Sequence, residues 1–185
     1  MAAHKVVLLG CRGVGKSCLG IRAMDGPFQP NWFYEAIEPR IIKVPCLNSI
    51  VEMLVQDVPT SSDYNAAHPM HAVSYLDSCV GLVCYAVDDT LSLKWAGDFW
   101  VPQFVHFCPN ASLILVGTKS VLERTVPMAE VREVAERIKA VHVLECSSKT
   151  NEGIELVLEF VAKEMLTRKH VHEGQRRFKG SCVVV

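Results

Sequence analysis

The sequence predicts a single α/β domain with a mostly parallel sheet covered by helices on both faces. Short, nearly continuous apolar runs rich in β-branched residues alternate with helical patterns of about 10 to 16 residues, the arrangement of βα units. The length of 185 residues suits one domain, long enough to bury about two-thirds of the surface its unfolded chain exposes.

Taken in order, Lys5 to Gly10 reads as the first central strand, and Ile41 to Val44 with Val51 to Gln56 as an antiparallel hairpin at one edge. Cys79 to Val87, Ser112 to Gly117 and the shorter His142 to Glu145 complete the sheet. The central runs lack polar alternation, as strands covered on both faces should. Pro127 opens a helix whose apolar stripe is Val131, Val134, Ala135 and Ile138, and a second follows Asn151 through Ile154, Val157, Leu158, Val161 and Met165. Trp95, Phe99 and Trp100 fall on a helix beside apolar strands and read as core. The ordered domain is expected over 1–166. From about Thr167 the chain is polar, basic and glycine-interrupted, so a disordered tail is expected over 167–185.

Nineteen Lys and Arg against twenty Asp and Glu exclude a molecule that binds nucleic acid through its overall charge. The opening MAAHKVVLLG lacks the basic start, long apolar core and cleavage site of a signal peptide. Its four-residue apolar run suits a buried strand, since a membrane span needs about 20 such residues. Cys11, Cys18, Cys46, Cys79, Cys84, Cys108 and Cys146 therefore read as reduced, small apolar residues; none has the paired spacing of a zinc site. His68, His71, His170 and His172 read as solvated surface.

Directly after the first strand stands Gly10-Cys-Arg-Gly-Val-Gly15-Lys16-Ser17, a full match to G-x-x-x-x-G-K-[ST] at a strand-to-helix junction. Glycines let backbone N–H groups converge on an anion, and the following helix adds the positive end of its dipole. Lys16 then neutralises the outer phosphates, and the Ser17 hydroxyl is a hard ligand for Mg²⁺.

Further residues extend this motif into a resemblance to the small GTPases that runs over most of the chain. Asp57 is similar to the strand-end aspartate of the family's D-x-x-G motif, Thr118-Lys119 to the start of [NT]-K-x-D, and Glu145-Cys-Ser147-Ser148-Lys149-Thr150 to its guanine loop. Val105-His-Phe-Cys-Pro-Asn110, leading into Leu113 to Lys119, resembles the Rho subfamily in particular, as does the Glu-Cys-Ser start of the last loop. The helix Rho proteins insert between their fourth and fifth motifs is missing, because only 27 residues (146 − 119) lie between Lys119 and Ser147.

The resemblance implies a P-loop NTPase fold with a six-stranded, mostly parallel sheet, acting as a monomer. It implies GTP or GDP held by Gly10, Arg12, Gly13, Val14, Gly15, Lys16, Ser17, Cys18, Asp57, Thr118, Lys119, Ser147, Ser148 and Lys149, with Mg²⁺ on Ser17 and Asp57. Effector or regulatory proteins would bind residues 28–40 and 58–75, where Asp63-Tyr64 is a candidate partner-facing pair.

Several positions depart from the family pattern. Residues 18–59 contain no threonine, and Ala36 stands where a switch-loop threonine would hold Mg²⁺. Thr60 replaces the glycine of D-x-x-G, Ser61 replaces the water-positioning glutamine, and Arg12 crowds the space that glutamine would use. Hydrolysis, on the order of 10⁻⁴ per second without activators in such enzymes, is expected to be slower still. Val121 replaces the guanine-reading aspartate, which removes charged hydrogen bonds of about 1.5–3 kcal/mol each.

The chain closes on Cys182-Val-Val-Val185, a C-a-a-X pattern for prenylation of Cys182, with farnesyl and geranylgeranyl both open. Arg168, Lys169, Arg176, Arg177 and Lys179 supply the basic neighbourhood that a single lipid needs for stable anchoring. The expected protein is a Rho-like, prenylated GTP-binding protein with little or no hydrolysis, on the cytoplasmic face of the plasma membrane or an endomembrane, in trafficking or cytoskeletal signalling. The alternative is a nucleotide-independent adaptor that keeps the fold and binds partners through its switch-like surface. A P-loop kinase is disfavoured, since no arginine-rich lid is found.

Overall fold

The computed structural model describes residues 4–28, 38–58 and 73–179, with side chains as far as Thr167. Six strands form one sheet in the order β2-β3-β1-β4-β5-β6. They are β1 (His4–Leu9), β2 (Arg40–Cys46), β3 (Ser49–Asp57), β4 (Ser78–Ala86), β5 (Ser112–Thr118) and β6 (His142–Glu145). Only β2 runs antiparallel, paired with β3 through Lys43 opposite Glu52, whose side chains form an ion pair of 3.4 Å. All other pairings are parallel. The expected six-stranded, mostly parallel sheet is thus present.

Burial follows the apolar runs. Val6 to Leu9 of β1 and Leu113 to Val116 of β5 are buried, as are all nine residues of β4 except half-buried Cys79. Each fully buried Val, Leu or Ile contributes about 1.5–3 kcal/mol relative to exposure. These strands put their carboxyl ends at one edge of the sheet, where α/β folds place ligands.

Helix α1 (Lys16–Ala23) follows β1. After β4, Asp89 caps α2 (Thr90–Trp95) by accepting from the amides of Leu91 at 3.0 Å and Ser92 at 3.2 Å. The helix widens into a π turn over Ala96–Trp100 and resumes as α3 (Val101–Phe107). Pro102 explains the widening: it has no N–H to give, and in an α-helix its ring would meet the Asp98 carbonyl four residues back. Trp100 is buried and Trp95 and Phe99 pack against the core, as expected.

Helix α4 (Met128–Ile138) starts at Pro127 and buries the stripe Val131, Val134, Ala135 and Ile138. It is the only helix between β5 and β6, so the Rho-type insertion is absent from the fold as well. Helix α5 (Ile154–Lys179) buries Ile154, Val157, Val161 and Met165. Its backbone is helical through Lys179. The reason is cooperativity: α5 is already nucleated against the sheet, each added residue brings one more hydrogen bond, and no proline interrupts it. Among the described residues no helix is long and apolar enough to cross a membrane.

The described cysteines are free thiols. Burial pushes the thiol of Cys146 up to about 12 and that of Cys84 higher still, which keeps both protonated and inert.

Candidate nucleotide site

The site begins where β1 ends. Gly10 has φ +137°, and a Cβ there would collide with the carbonyl oxygen of Cys84 on β4. Gly15, at φ +97°, is the left-handed residue that turns the chain into α1. Only glycine lets the loop pass this close to the sheet and then turn. Lys16 is 5% exposed, and its Nζ donates to the Cys11 carbonyl at 2.7 Å, which folds the cation back into its own loop. Burial lowers the Lys16 pKa, and the Asp57 carboxylate partly offsets that shift. Ser17 Oγ donates to Asp57 Oδ2 at 2.5 Å. Arg12 and Gly13 lie exposed at the rim.

The loop after β5 joins this assembly. Thr118 Oγ1 bridges the Val14 and Tyr85 carbonyls, so a motif hydroxyl ties the phosphate loop to β4. Lys119 takes φ +59° and sits 3.7 Å from Asp88 Oδ1. The Ser120 amide donates to the Cys146 carbonyl at 3.1 Å, and the Cys146 amide to Gly117 at 2.8 Å, which stitches the third loop to the second. Ser147 and Ser148 are buried, with the Ser147 amide on the Glu152 carbonyl and the Thr150 amide on Ser147 Oγ; Lys149 is exposed. Burial raises the thiol of half-buried Cys18, as does nearby Asp57.

The structure thus brings Gly10 to Cys18, Asp57, Thr118, Lys119 and Ser147 to Lys149 to one edge of the sheet. The parts of this set differ in how well they fit a nucleotide. A close-packed glycine loop, a lysine in its centre and a hydroxyl beside a carboxylate suit a phosphate chain with Mg²⁺, a hard cation that prefers oxygen donors. At the other end Val121 is 44% exposed beside equally open Leu122. Val121 offers no acceptor for a base, and Asp88 faces Lys119 at 3.7 Å. Ala36, Thr60, Ser61, Asp63, Tyr64, His68, His71 and Cys182, and the side chains of Arg168, Lys169, His170, His172, Arg176, Arg177 and Lys179, lie outside the described residues.

Sequence reasoning missed three residues here. Arg22 of α1 reaches the Ser148 carbonyl with Nε at 2.7 Å. The Trp100 indole donates to Cys11 Sγ at 3.4 Å, so the π turn touches the phosphate loop. Arg124 pairs with Glu145 at 2.5 Å behind the last loop. A cation in the last turn of a helix is a legible signal, but the loop it contacts lies 126 positions away.

A parallel sheet whose first strand feeds a glycine loop, a buried lysine and a serine–aspartate pair defines the class: a P-loop nucleotide-binding fold of the small G-protein type. Residues 5–167 match the model of the Ras family. The chain is also similar to the "GTP-binding protein RHO1" of Candida albicans, with 32% identity over 196 aligned positions covering 98% of this chain and 96% of the relative. The chain therefore belongs to the Ras family of small GTPases and is Rho-like within it.

Proposed function

We propose that the chain binds a guanine nucleotide together with Mg²⁺, hydrolyses it very slowly or not at all, and presents residues 28–40 and 58–75 to effector or regulatory proteins at a membrane. The observation that carries this reading is the Ser17 Oγ to Asp57 Oδ2 contact of 2.5 Å beside a buried Lys16. A buried lysine and a buried aspartate are costly to keep unless they serve a charged ligand or each other. Magnesium, when bound, would neutralise charge between the outer phosphates. On this reading Lys16 exchanges the Cys11 carbonyl for phosphate oxygens, and Ser17 and Asp57 hold the cation. Slow hydrolysis is supported by Ala36, Thr60, Ser61 and Arg12, since no side chain among them orients water as the family's glutamine does. Cys182 in its C-a-a-X setting supports an isoprenoid anchor, and Arg168, Lys169, Arg176, Arg177 and Lys179 support contact with an anionic leaflet of the plasma membrane or an endomembrane. Trafficking or cytoskeletal signalling is the setting that fits such a protein.

Two observations favour a second reading, a nucleotide-independent adaptor. Lys16 is already satisfied by its own loop, and Val121 leaves the base without its carboxylate. The deciding experiment is chromatography of nucleotide released from the purified, denatured protein. Stoichiometric GTP or GDP with Mg²⁺ is expected, whereas a folded protein that is empty and takes up none at millimolar concentration would overturn the proposal in favour of the adaptor. For the anchor, Cys182→Ser should abolish membrane partitioning in cells; unchanged partitioning would remove the lipid from the reading.

A further inference from the structure

Arg22 stands at the carboxyl end of α1, the helix that begins with Lys16 and Ser17. Its guanidinium faces three backbone carbonyls at once. Nε donates to Ser148 at 2.7 Å, Nη1 to Gly26 at 3.3 Å and Nη2 to Lys149 at 3.5 Å. Ser148 and Lys149 form the loop between β6 and α5, while Gly26 closes the turn by which α1 hands the chain on towards residues 28–40. At Gly26 the same turn is drawn back by its amide, which donates to the Ile21 carbonyl at 2.9 Å.

We infer that Arg22 is a positioning residue that clamps the base-side loop to the phosphate-side helix and so sets how long a nucleotide stays bound. This rests on the nucleotide-binding reading above. The geometry gives three reasons. First, among the described residues the other hydrogen bonds of 147–152 are internal to the loop, through Ser147, Thr150 and Glu152, whereas Arg22 ties Ser148 and Lys149 to α1. Second, the planar guanidinium serves diverging carbonyls with separate N–H groups, which a lysine ammonium, a point charge, does less well. Third, a cation at this helix end also meets the negative end of the α1 dipole, so the side chain is held where it is needed. The clamp acts on both ends of a ligand. With Val121 giving no charged contact to the base, retention there falls more heavily on the placement of the 147–149 backbone.

The test compares wild type with Arg22→Met, which keeps the apolar stem, and Arg22→Lys. Release of a fluorescent GDP analogue is followed by stopped flow, together with hydrogen exchange of amides 147–152 in nucleotide-free protein. Arg22→Met should release the analogue on the order of tenfold faster, as expected for one lost charge-assisted hydrogen bond. Association should stay within about twofold, and Arg22→Lys should recover part of the residence time. Loop exchange should rise in Arg22→Met while the amides of β4 and β5 stay protected. Unchanged release, or an equal change in association and release, would overturn the clamp. If wild type binds no analogue, the nucleotide reading has failed by itself, and hydrogen exchange still decides the clamp: unaltered protection of 147–152 in Arg22→Met overturns it.

Discussion

The phosphate end and the base end of this site are stitched into the fold by similar hydrogen bonds, yet they differ in what surrounds their key side chains. Lys16 and Asp57 are 5% and 1% exposed, inside a loop whose glycines touch the sheet. Val121 is 44% exposed and lies outside the buried core. A substitution that removes either charge leaves the other buried with less compensation, which costs about 1–3 kcal/mol. A surface substitution such as one at Val121 is ordinarily worth less than about 0.5 kcal/mol of stability. The comparison teaches that the folding requirement itself protects the phosphate end, whereas the base-reading position is free to change without harm to the domain. Motif survival in this chain therefore speaks first about stability and second about ligand.

Removing the phosphate-end cation should have the largest effect. Lys16→Met deletes a charge that would make at least one charge-assisted hydrogen bond to phosphate, so nucleotide affinity should fall by about 100-fold or more, measured by calorimetry with Mg²⁺ and GDP. It should also lower stability by about 1–3 kcal/mol, because Asp57 keeps its burial and loses a compensating charge. An affinity unchanged within threefold would show that the loop is structural and that the two ends do not differ in the way argued.

Val121→Asp tests the other end in the opposite direction. The exposed site accepts a carboxylate without desolvation strain, and two charged hydrogen bonds to a guanine edge become available. Affinity for GDP should rise by about 10- to 100-fold, with preference over an adenine nucleotide rising in parallel, while urea stability changes by less than about 0.5 kcal/mol. If affinity rises for both bases alike, the valine is not what weakens base reading.

These two residues also mark how far the sequence was legible. The runs of β1, β4 and β5 could be read because strands covered on both faces are almost continuously apolar, and the stripes of α4 and α5 because each helix buries one periodic face. Gly10, Gly15, Lys16 and Ser17 could be read because the chemistry of holding phosphate forces their spacing. Arg22, Trp100 and Arg124 could not, since a contact made by a side chain across the sheet leaves no local pattern.

The smallest expected effect is the pH dependence at the base end, and its sign follows from Cys146. Burial first, and the Glu145 carboxylate second, push this thiol from an ordinary 9.0 up to about 12. A group whose pKa is raised by folding contributes stability that is fully present below its unfolded pKa and lost as pH rises through the folded value. Between pH 9 and about 12 the unfolded chain sheds a proton that the folded chain keeps, so stability should fall as pH rises. For this one thiol the loss amounts to about 1.4 kcal/mol at pH 10 relative to pH 8. Buried Cys84 adds a loss of the same sign, whereas buried Lys16, whose pKa folding lowers, acts the other way as pH approaches 10.5. Comparing urea unfolding of wild type and Cys146→Ala at pH 8 and pH 10 isolates the first contribution, because the difference between the two proteins should shrink by about 1.4 kcal/mol at the higher pH. A difference that stays constant would mean that Cys146 meets water in the folded protein, and hence that the loop carrying Ser147 and Ser148 is open rather than stitched to β5.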